Sequence, residues 1–338
     1  MLYGLVLRLR HLFYDKGWAK STRPSVPTIC VGNVSVGGTG KTPHTEYLLR
    51  LLLHSDDWEF RPLAVLSRGY KRKSKGYQLI PPEGSALQYG DEPVQMARKF
   101  PSVAVAVCKN RIEGCRRLAE EGSQLIILDD ALQYRKLQAA MNIVLVDYNH
   151  PVQKDRLLPY GHLRDLPSRL KKAHVVIVTK CPSFLDEAEP RRWRKELRLT
   201  DNQPLFFTTL RYAEPRPVFL DGDTHYLYAK QVILVSGIAN DAPLRNYLSD
   251  KYKIARRIAF PDHHAFTRRD IRSILRAVKE TPTACLVTTE KDAGRLQDVK
   301  DVPPELRRRM FYIPIEAAFL SAEEEAAFTQ TLFSRISF

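Results

Sequence analysis

The stretch from residue 28 to residue 53 constrains this chain more than any other. An apolar run, TICV at 28–31, leads into SVGGTGKT at 35–42, and a helical pattern with proline in its first turn follows over 43–53. A strand, a glycine-rich loop and a helix in that order form a phosphate cradle. Backbone N–H groups converge on phosphate oxygens, a lysine reaches the β and γ phosphates, and a hydroxyl ligates Mg2+. Gly40, Lys41 and Thr42 fill the closing places of the GxxxxGK[ST] pattern, and Ser35 stands where its first glycine is usual. Gly37 and Gly38 keep the backbone freedom that the cradle needs. Ser35, Val36, Gly37, Gly38, Thr39, Gly40, Lys41 and Thr42 are therefore the candidate triphosphate-binding residues.

Further runs of strand length lie at 63–66, 103–108, 125–128, 143–146 and 175–178, mostly separated by stretches able to hold a helix. The alternation predicts an α/β chain with a P-loop NTPase-like, mainly parallel sheet covered on both faces. The charged stretch 187–198 and the Pro-, Thr- and aromatic-rich stretch 204–220 read as a connector. A P-loop kinase domain is thus expected over 26–203 and a second, smaller α/β domain over 204–338, with strands at 232–235, 284–288 and 310–315 and helices at 268–279 and 322–334.

The 53 Lys and Arg against 38 Asp and Glu leave a net charge of +15, which favours a phosphorylated substrate, an anionic membrane surface or nucleic acid. The basic residues are not interleaved with a stacking series of aromatics, and no helix-turn-helix, RRM or zinc pattern is present, which argues against nucleic acid. Five scattered cysteines without a CxxC pair fit a reducing compartment. No charge-free run approaches the ~18 residues of a membrane span, and no cleavage site follows an apolar core, so a cytoplasmic protein is expected. Within residues 1–25, Leu2, Leu5, Val6, Leu9, Leu12 and Phe13 share one helical face, edged by Arg8, Arg10, Lys16, Lys20 and Arg23, with Tyr3, Tyr14 and Trp18 nearby. This pattern reads either as a helix lying in the headgroup layer of an anionic bilayer or as a first helix packed on the core.

LIILDD at 125–130 has the form of a strand ending in acids, which places Asp129 and Asp130 to hold Mg2+ at the carboxyl edge of the sheet, with Gln133 within reach. TKCP at 179–182 carries Pro182 where a guanine-reading aspartate would stand, which argues for ATP over GTP. Phosphorylation of a hydroxyl gains from a carboxylate or carboxylate-His pair that takes up its proton. GDEP at 90–93 and DHH at 262–264 offer such groups, and GDEP reads equally as a helix start. Basic clusters around Arg68, Arg111 and Arg164 are either a solvated face or contacts to phosphate.

Taken together, VGNVSVGGTGKTP (31–43), LSRGY (66–70), GDEP (90–93), LDDALQ (128–133), LLPYGHLRD (157–165) and FPDHHAF (260–266) resemble the tetraacyldisaccharide 4'-kinase family of lipid A biosynthesis, over nearly the whole chain. The resemblance implies ATP-dependent phosphorylation of the 4'-hydroxyl of an acylated disaccharide 1-phosphate at the cytoplasmic face of the bacterial inner membrane, by a peripheral protein expected to be a monomer. It implies Asp91 as catalytic base, His263 as its partner from the second domain, and Lys41 on the transferring phosphate. Thr42 with Asp129 or Asp130 would hold Mg2+, Glu92 and Gln133 would help place metal or nucleotide, and Arg68, Arg111 and Arg164 would contact phosphate. The competing readings are a P-loop ATPase or kinase acting on a soluble metabolite or nucleic acid, and a non-catalytic nucleotide-binding module.

Overall fold

The structure is a computed structural model that describes residues 2–336. Its helices are α1 Leu2–Asp15, α2 Lys41–Leu53, α3 Ala86–Tyr89, α4 Asp91–Lys99, α5 Arg111–Glu120, α6 Glu189–Glu196, α7 Ala242–Ser249, α8 Arg268–Glu280, α9 Glu290–Gln297, α10 Pro304–Arg309 and α11 Ala322–Ile336. Its strands are β1 Thr28–Asn33, β2 Leu63–Ser67, β3 Gln78–Leu79, β4 Ala104–Val107, β5 Leu125–Asp129, β6 Met141–Asp147, β7 Val175–Thr179, β8 Leu205–Tyr212, β9 Arg216–Pro217, β10 Gln231–Ser236, β11 Lys253–Ala259, β12 Cys285–Thr289, β13 Met310–Ile313 and β14 Ile315–Phe319.

Among the described residues, nine strands form a large sheet in the order β14-β8-β7-β6-β1-β5-β2-β4-β3, and five form a smaller one in the order β11-β10-β12-β13-β9. Neighbours in the large sheet run parallel from β8 to β4, and only the edge strands β14 and β3 are antiparallel. Every residue of β1, β2, β5 and β7 is buried, as a sheet with helices on both faces requires. The alternation of side chains along β1 sorts the core into two layers. Ile29 and Val31 face Leu48, Leu49 and Leu52 of α2 and Phe328 and Leu332 of α11, whereas Cys30 joins the opposite layer with Leu118 of α5 and Trp193 of α6.

The sheet membership differs from the boundary expected at residue 203. β8 and β14 belong to the large sheet, and α11 packs on its core, so only the chain between Tyr212 and Ile315, two residues paired in register, forms the smaller domain. The reason lies in two local features. The stretch read as a connector contains Phe206 and Phe207, which are buried on opposite faces of the large sheet. The apolar run expected as one strand over 310–315 is interrupted at Pro314, which has no N–H to continue a ladder, so its two parts join different sheets.

Helix α1 forms as the spacing predicts, but the stripe Leu2, Leu5, Val6, Leu9, Leu12 and Phe13 faces outward, with Leu2 76% and the nearby Trp18 67% exposed. The face toward the protein is largely polar. Tyr3 donates to the Arg164 carbonyl at 2.8 Å, and Arg10 to the Gln133 carbonyl at 2.8 Å. Buried His11 places Nε2 2.6 Å from Asp165 and accepts at Nδ1 from Arg135 at 3.0 Å. No helix among the described residues is long and apolar enough to cross a membrane.

Candidate active site

The phosphate loop leaves the carboxyl end of β1 at the centre of the large sheet, where strand order places ligands in open α/β folds. Gly37 and Gly40 take φ of 98° and 86°, and α2 begins at Lys41. The start of the loop is tied to the LLPYGHLRD segment: Ser35 bridges Leu163, and the Val36 N–H donates to His162 O at 2.7 Å. Thr39 is buried and its carbonyl accepts from the Thr179 hydroxyl at 2.9 Å.

Asn33, the last residue of β1, organises the floor of the loop. Its amide donates to Thr39 Oγ1 at 2.8 Å, its carbonyl oxygen accepts from Gln133 Nε2 at 2.8 Å, and its Oδ1 lies 3.5 Å from Lys41 Nζ and takes a bond from Arg164. Lys41 is 3.9 Å from Asp130, and burial pulls its ammonium below the usual lysine range. The two acids at the end of β5 are not equivalent. Asp130, at φ 55°, is held by the Arg164 fork, which with Lys41 keeps its carboxyl below the usual range despite burial. Asp129 receives a bond from Ser67 Oγ at 3.3 Å, while its Oδ1 is buried without a partner among the described residues. Burial, with Asp130 alongside, pushes its carboxyl up to about 6.

Asp91 and Glu92 open α4, where carboxylates are favoured by the helix dipole. GDEP is thus a helix start whose first acids also face the site. Its Gly90, at φ 99°, lets the α4 start close on the SRGY turn: a Cβ there would sit 3.3 Å from Gly69 Cα and from the Tyr70 carbonyl. Asp91 meets the smaller domain directly. His263 Nδ1 lies 2.8 Å from its Oδ2, and Arg295 of α9 reaches Oδ1 with Nε at 3.1 Å and Oδ2 with Nη2 at 2.5 Å. The guanidinium and the imidazole hold the Asp91 carboxyl below the usual range against the opposing effect of burial. His263 itself sits at φ 61°, an uncommon backbone conformation for a non-glycine residue. His264, by contrast, stacks on Phe260 at 4.6 Å and contacts Asp270 at 3.0 Å, in the cap of α8.

The remaining expected residues divide. Glu92 is bound by Lys291 of α9 at 2.5 Å, and its charge bears on Lys41 and Asp129. Arg111 is buried and donates to the Cys108 and Lys109 carbonyls at 2.9 and 3.2 Å, holding the turn after β4. Arg68 is exposed beside it. Sequence reasoning missed Asn33, Lys291 and Arg295. A buried asparagine ending an apolar strand before a phosphate loop is a signal that exposes the first; the other two stand in a charged helical stretch, and only the tertiary approach of α9 to α4 singles them out.

Comparison with known proteins gives the family. A family model described as tetraacyldisaccharide-1-P 4'-kinase matches residues 1–337. The tetraacyldisaccharide 4'-kinase of Phocaeicola vulgatus is 42% identical over 334 residues, covering 96% of this chain and 90% of the relative. That of Flavobacterium johnsoniae is 40% identical over 331 residues, covering 96% and 92%. The crystal structure of LpxK from Aquifex aeolicus in complex with ATP superposes with a TM-score of 0.75 at 28% identity, covering 99% of this chain and 96% of that one. The α/β fold expected from the alternation of strands and helices is that of this structure. The chain belongs to the tetraacyldisaccharide-1-P 4'-kinase family, and is a kinase of lipid A biosynthesis.

Proposed function

We propose that this chain transfers the γ-phosphoryl group of ATP to the 4'-hydroxyl of an acylated disaccharide 1-phosphate, with Asp91 as the base. The observation that carries the proposal is the meeting of Asp91 and His263 across the two domains, 2.8 Å apart, next to Glu92, whose charge bears on Lys41 and Asp129. A nucleotide-binding module without chemistry has no use for a carboxylate-imidazole pair assembled from two domains.

In this reading residues 35–42 cradle the triphosphate, and Lys41 leaves Asp130 and Asn33 to contact the transferring phosphate. Arg164 and Gln133 hold Asn33 and so keep the floor of the loop fixed. Asp91 takes up the proton of the attacking hydroxyl, and His263 fixes the orientation of the carboxylate. The residues fit a magnesium ion: Asp129 Oδ1 is a buried acceptor without a partner among the described residues, and its raised carboxyl pKa is what a nearby cation relieves. Asp129 and the Thr42 hydroxyl would hold it, with Asp130 facing the same space. When bound, Mg2+ neutralises charge developing on the phosphate oxygens.

The outward apolar stripe of α1, with Trp18 beside it, supports a peripheral seat on an anionic bilayer at the cytoplasmic face of the inner membrane. The seat brings an acylated, phosphorylated acceptor to a chain of net charge +15. The test is incubation of purified protein with Mg-ATP and acyl-disaccharide 1-phosphate in detergent micelles. A bisphosphorylated lipid is expected, and Asp91→Ala should lower kcat roughly 10²- to 10⁴-fold with nucleotide affinity nearly unchanged. Labelling of a soluble acceptor with no lipid product would overturn the proposal.

A further inference from the structure

The smaller sheet has its own topological switch point between β10 and β12, the place where open parallel sheets usually receive a ligand. Here the crevice is filled by protein. Asp292, fully buried, accepts from the Gly237 N–H at 2.9 Å and from Thr289 Oγ1 at 2.7 Å. Its other oxygen accepts from Arg295 Nη1 at 2.9 Å, and the same nitrogen donates to Gly237 O at 2.8 Å. One edge of the Arg295 guanidinium is thereby locked into the crevice, while the other points across the domain boundary at Asp91.

Arg295 is 5% exposed at its side chain. Burying a guanidinium costs several kcal/mol unless its donors are matched, and here Nε, Nη1 and Nη2 all have acceptors. Nε and Nη2 engage the two oxygens of Asp91 together, the fork geometry that fixes a carboxylate in its plane. Nη2 also lies 3.3 Å from His263 Nδ1, so carboxylate, imidazole and guanidinium form one cluster. His263 in turn is anchored to the same crevice by its N–H, which donates to Gly237 O at 3.2 Å. A single carbonyl, that of Gly237, therefore registers both groups that approach Asp91.

We infer that Arg295 is a positioning residue for phosphoryl transfer: anchored in the switch-point crevice of the smaller domain, it sets the orientation of the Asp91 carboxylate against His263. The inference rests on Asp91 being the base. With both Asp91 oxygens held from the side of α9, only the lone pairs directed away from the smaller domain are left for the acceptor hydroxyl. Arg295 acts through Asp91, since all three of its guanidinium nitrogens are engaged within the protein.

The domains are also joined by other ion pairs, of Lys99 with Glu290 at 2.8 Å and of Arg98 with Asp298 at 2.9 Å, Lys99 being held within the large domain by Glu46 at 2.6 Å. The experiment must therefore separate orientation of Asp91 from adhesion of the domains. Steady-state kcat and KM are measured with Mg-ATP and acyl-disaccharide 1-phosphate for the full chain, Asp91→Asn, Arg295→Met, Arg295→Lys and the Asp91→Asn/Arg295→Met double variant. Arg295→Met is expected to lower kcat by about 10²-fold, the usual consequence of a misplaced catalytic group, with KM for ATP within about twofold of wild type. Arg295→Lys keeps the charge but not the fork, and should fall between wild type and Arg295→Met.

In the Asp91→Asn background, removal of Arg295 should cause no further loss, because the carboxylate it orients is gone. Guanidinium ion added to Arg295→Met should recover part of the lost kcat. An equal further loss in both backgrounds would show that Arg295 only holds the domains together, and would overturn the inference. So would wild-type kcat in Arg295→Met beside an inactive Asp91→Asn, a result that leaves the base assignment standing. Wild-type turnover in Asp91→Asn would instead remove the base assignment on which the inference rests.

Discussion

His44, on α2 two residues beyond Thr42, offers a quantitative test of how the phosphate loop is held. The ring is buried, with Nδ1 2.7 Å from Gly40 O and Nε2 2.9 Å from Thr208 Oγ1 of β8. A carbonyl only accepts, so Nδ1 carries the proton and Nε2 accepts from the threonine hydroxyl. The neutral ring thus links the positive-φ residue of the loop to the strand behind it. Burial drops the His44 pKa from 6.5 to about 4. The unfolded chain takes up the proton as pH falls through 6.5, and the folded chain does so only near 4. Stability from this residue is therefore complete above pH 6.5 and is lost as pH falls toward 4, by about 3 kcal/mol in all. For a chain of this length the unfolding entropy is roughly 0.7 kcal/mol/K, so the loss corresponds to about 4 °C in Tm. The assay is thermal unfolding of wild type and His44→Gln without nucleotide between pH 7.5 and 4.5. A glutamine amide keeps a donor for Gly40 and an acceptor for Thr208 but does not titrate. Wild type should lose about 4 °C more than the variant across that range. Parallel curves would refute the reasoning.

Two further outcomes follow from the site and from α1. Asp129→Asn should raise the Tm of the metal-free protein at pH 7.5, because an ionised carboxylate with a pKa raised from 3.8 to about 6 costs the folded state about 3 kcal/mol above pH 6 and nothing below pH 4. The same variant should lose Mg2+-dependent turnover; an unchanged or lower Tm at pH 7.5 would contradict the burial argument. Leu5→Glu/Leu9→Glu should abolish co-sedimentation with anionic vesicles while shifting Tm by less than ~1 °C, since both side chains face solvent. Retained sedimentation would take α1 out of the membrane contact.

Much of the large sheet was legible because its central strands are short, continuous apolar runs that end at marked positions: Val31 before the loop, Leu128 before two acids. Lys41, Thr42, Asp129 and Asp130 follow from local pattern plus the rule that ligands meet strands at their carboxyl ends. The pairing of Asp91 with His263 needed the family likeness, because 172 residues separate them and neither segment is distinctive alone. Arg295 was invisible for a different reason: one cation among 53 gains its meaning only from burial and from Asp292, three residues earlier in its helix. The orientation of α1 was undecidable from spacing, since an apolar stripe reads the same whether it faces core or bilayer. What settles its direction are His11, Tyr3 and Arg10, polar residues whose partners lie more than 100 positions away.

The smaller domain departs and returns at Tyr212 and Ile315, paired neighbours on adjoining strands. A body hung from one thread swivels in any direction; a body hung from two adjacent strands turns about the line through them, like a door. His263 and Arg295 ride on that door together, both referred to the Gly237 carbonyl. Any rotation about that line would carry imidazole and guanidinium relative to Asp91 together, along one arc and not independently.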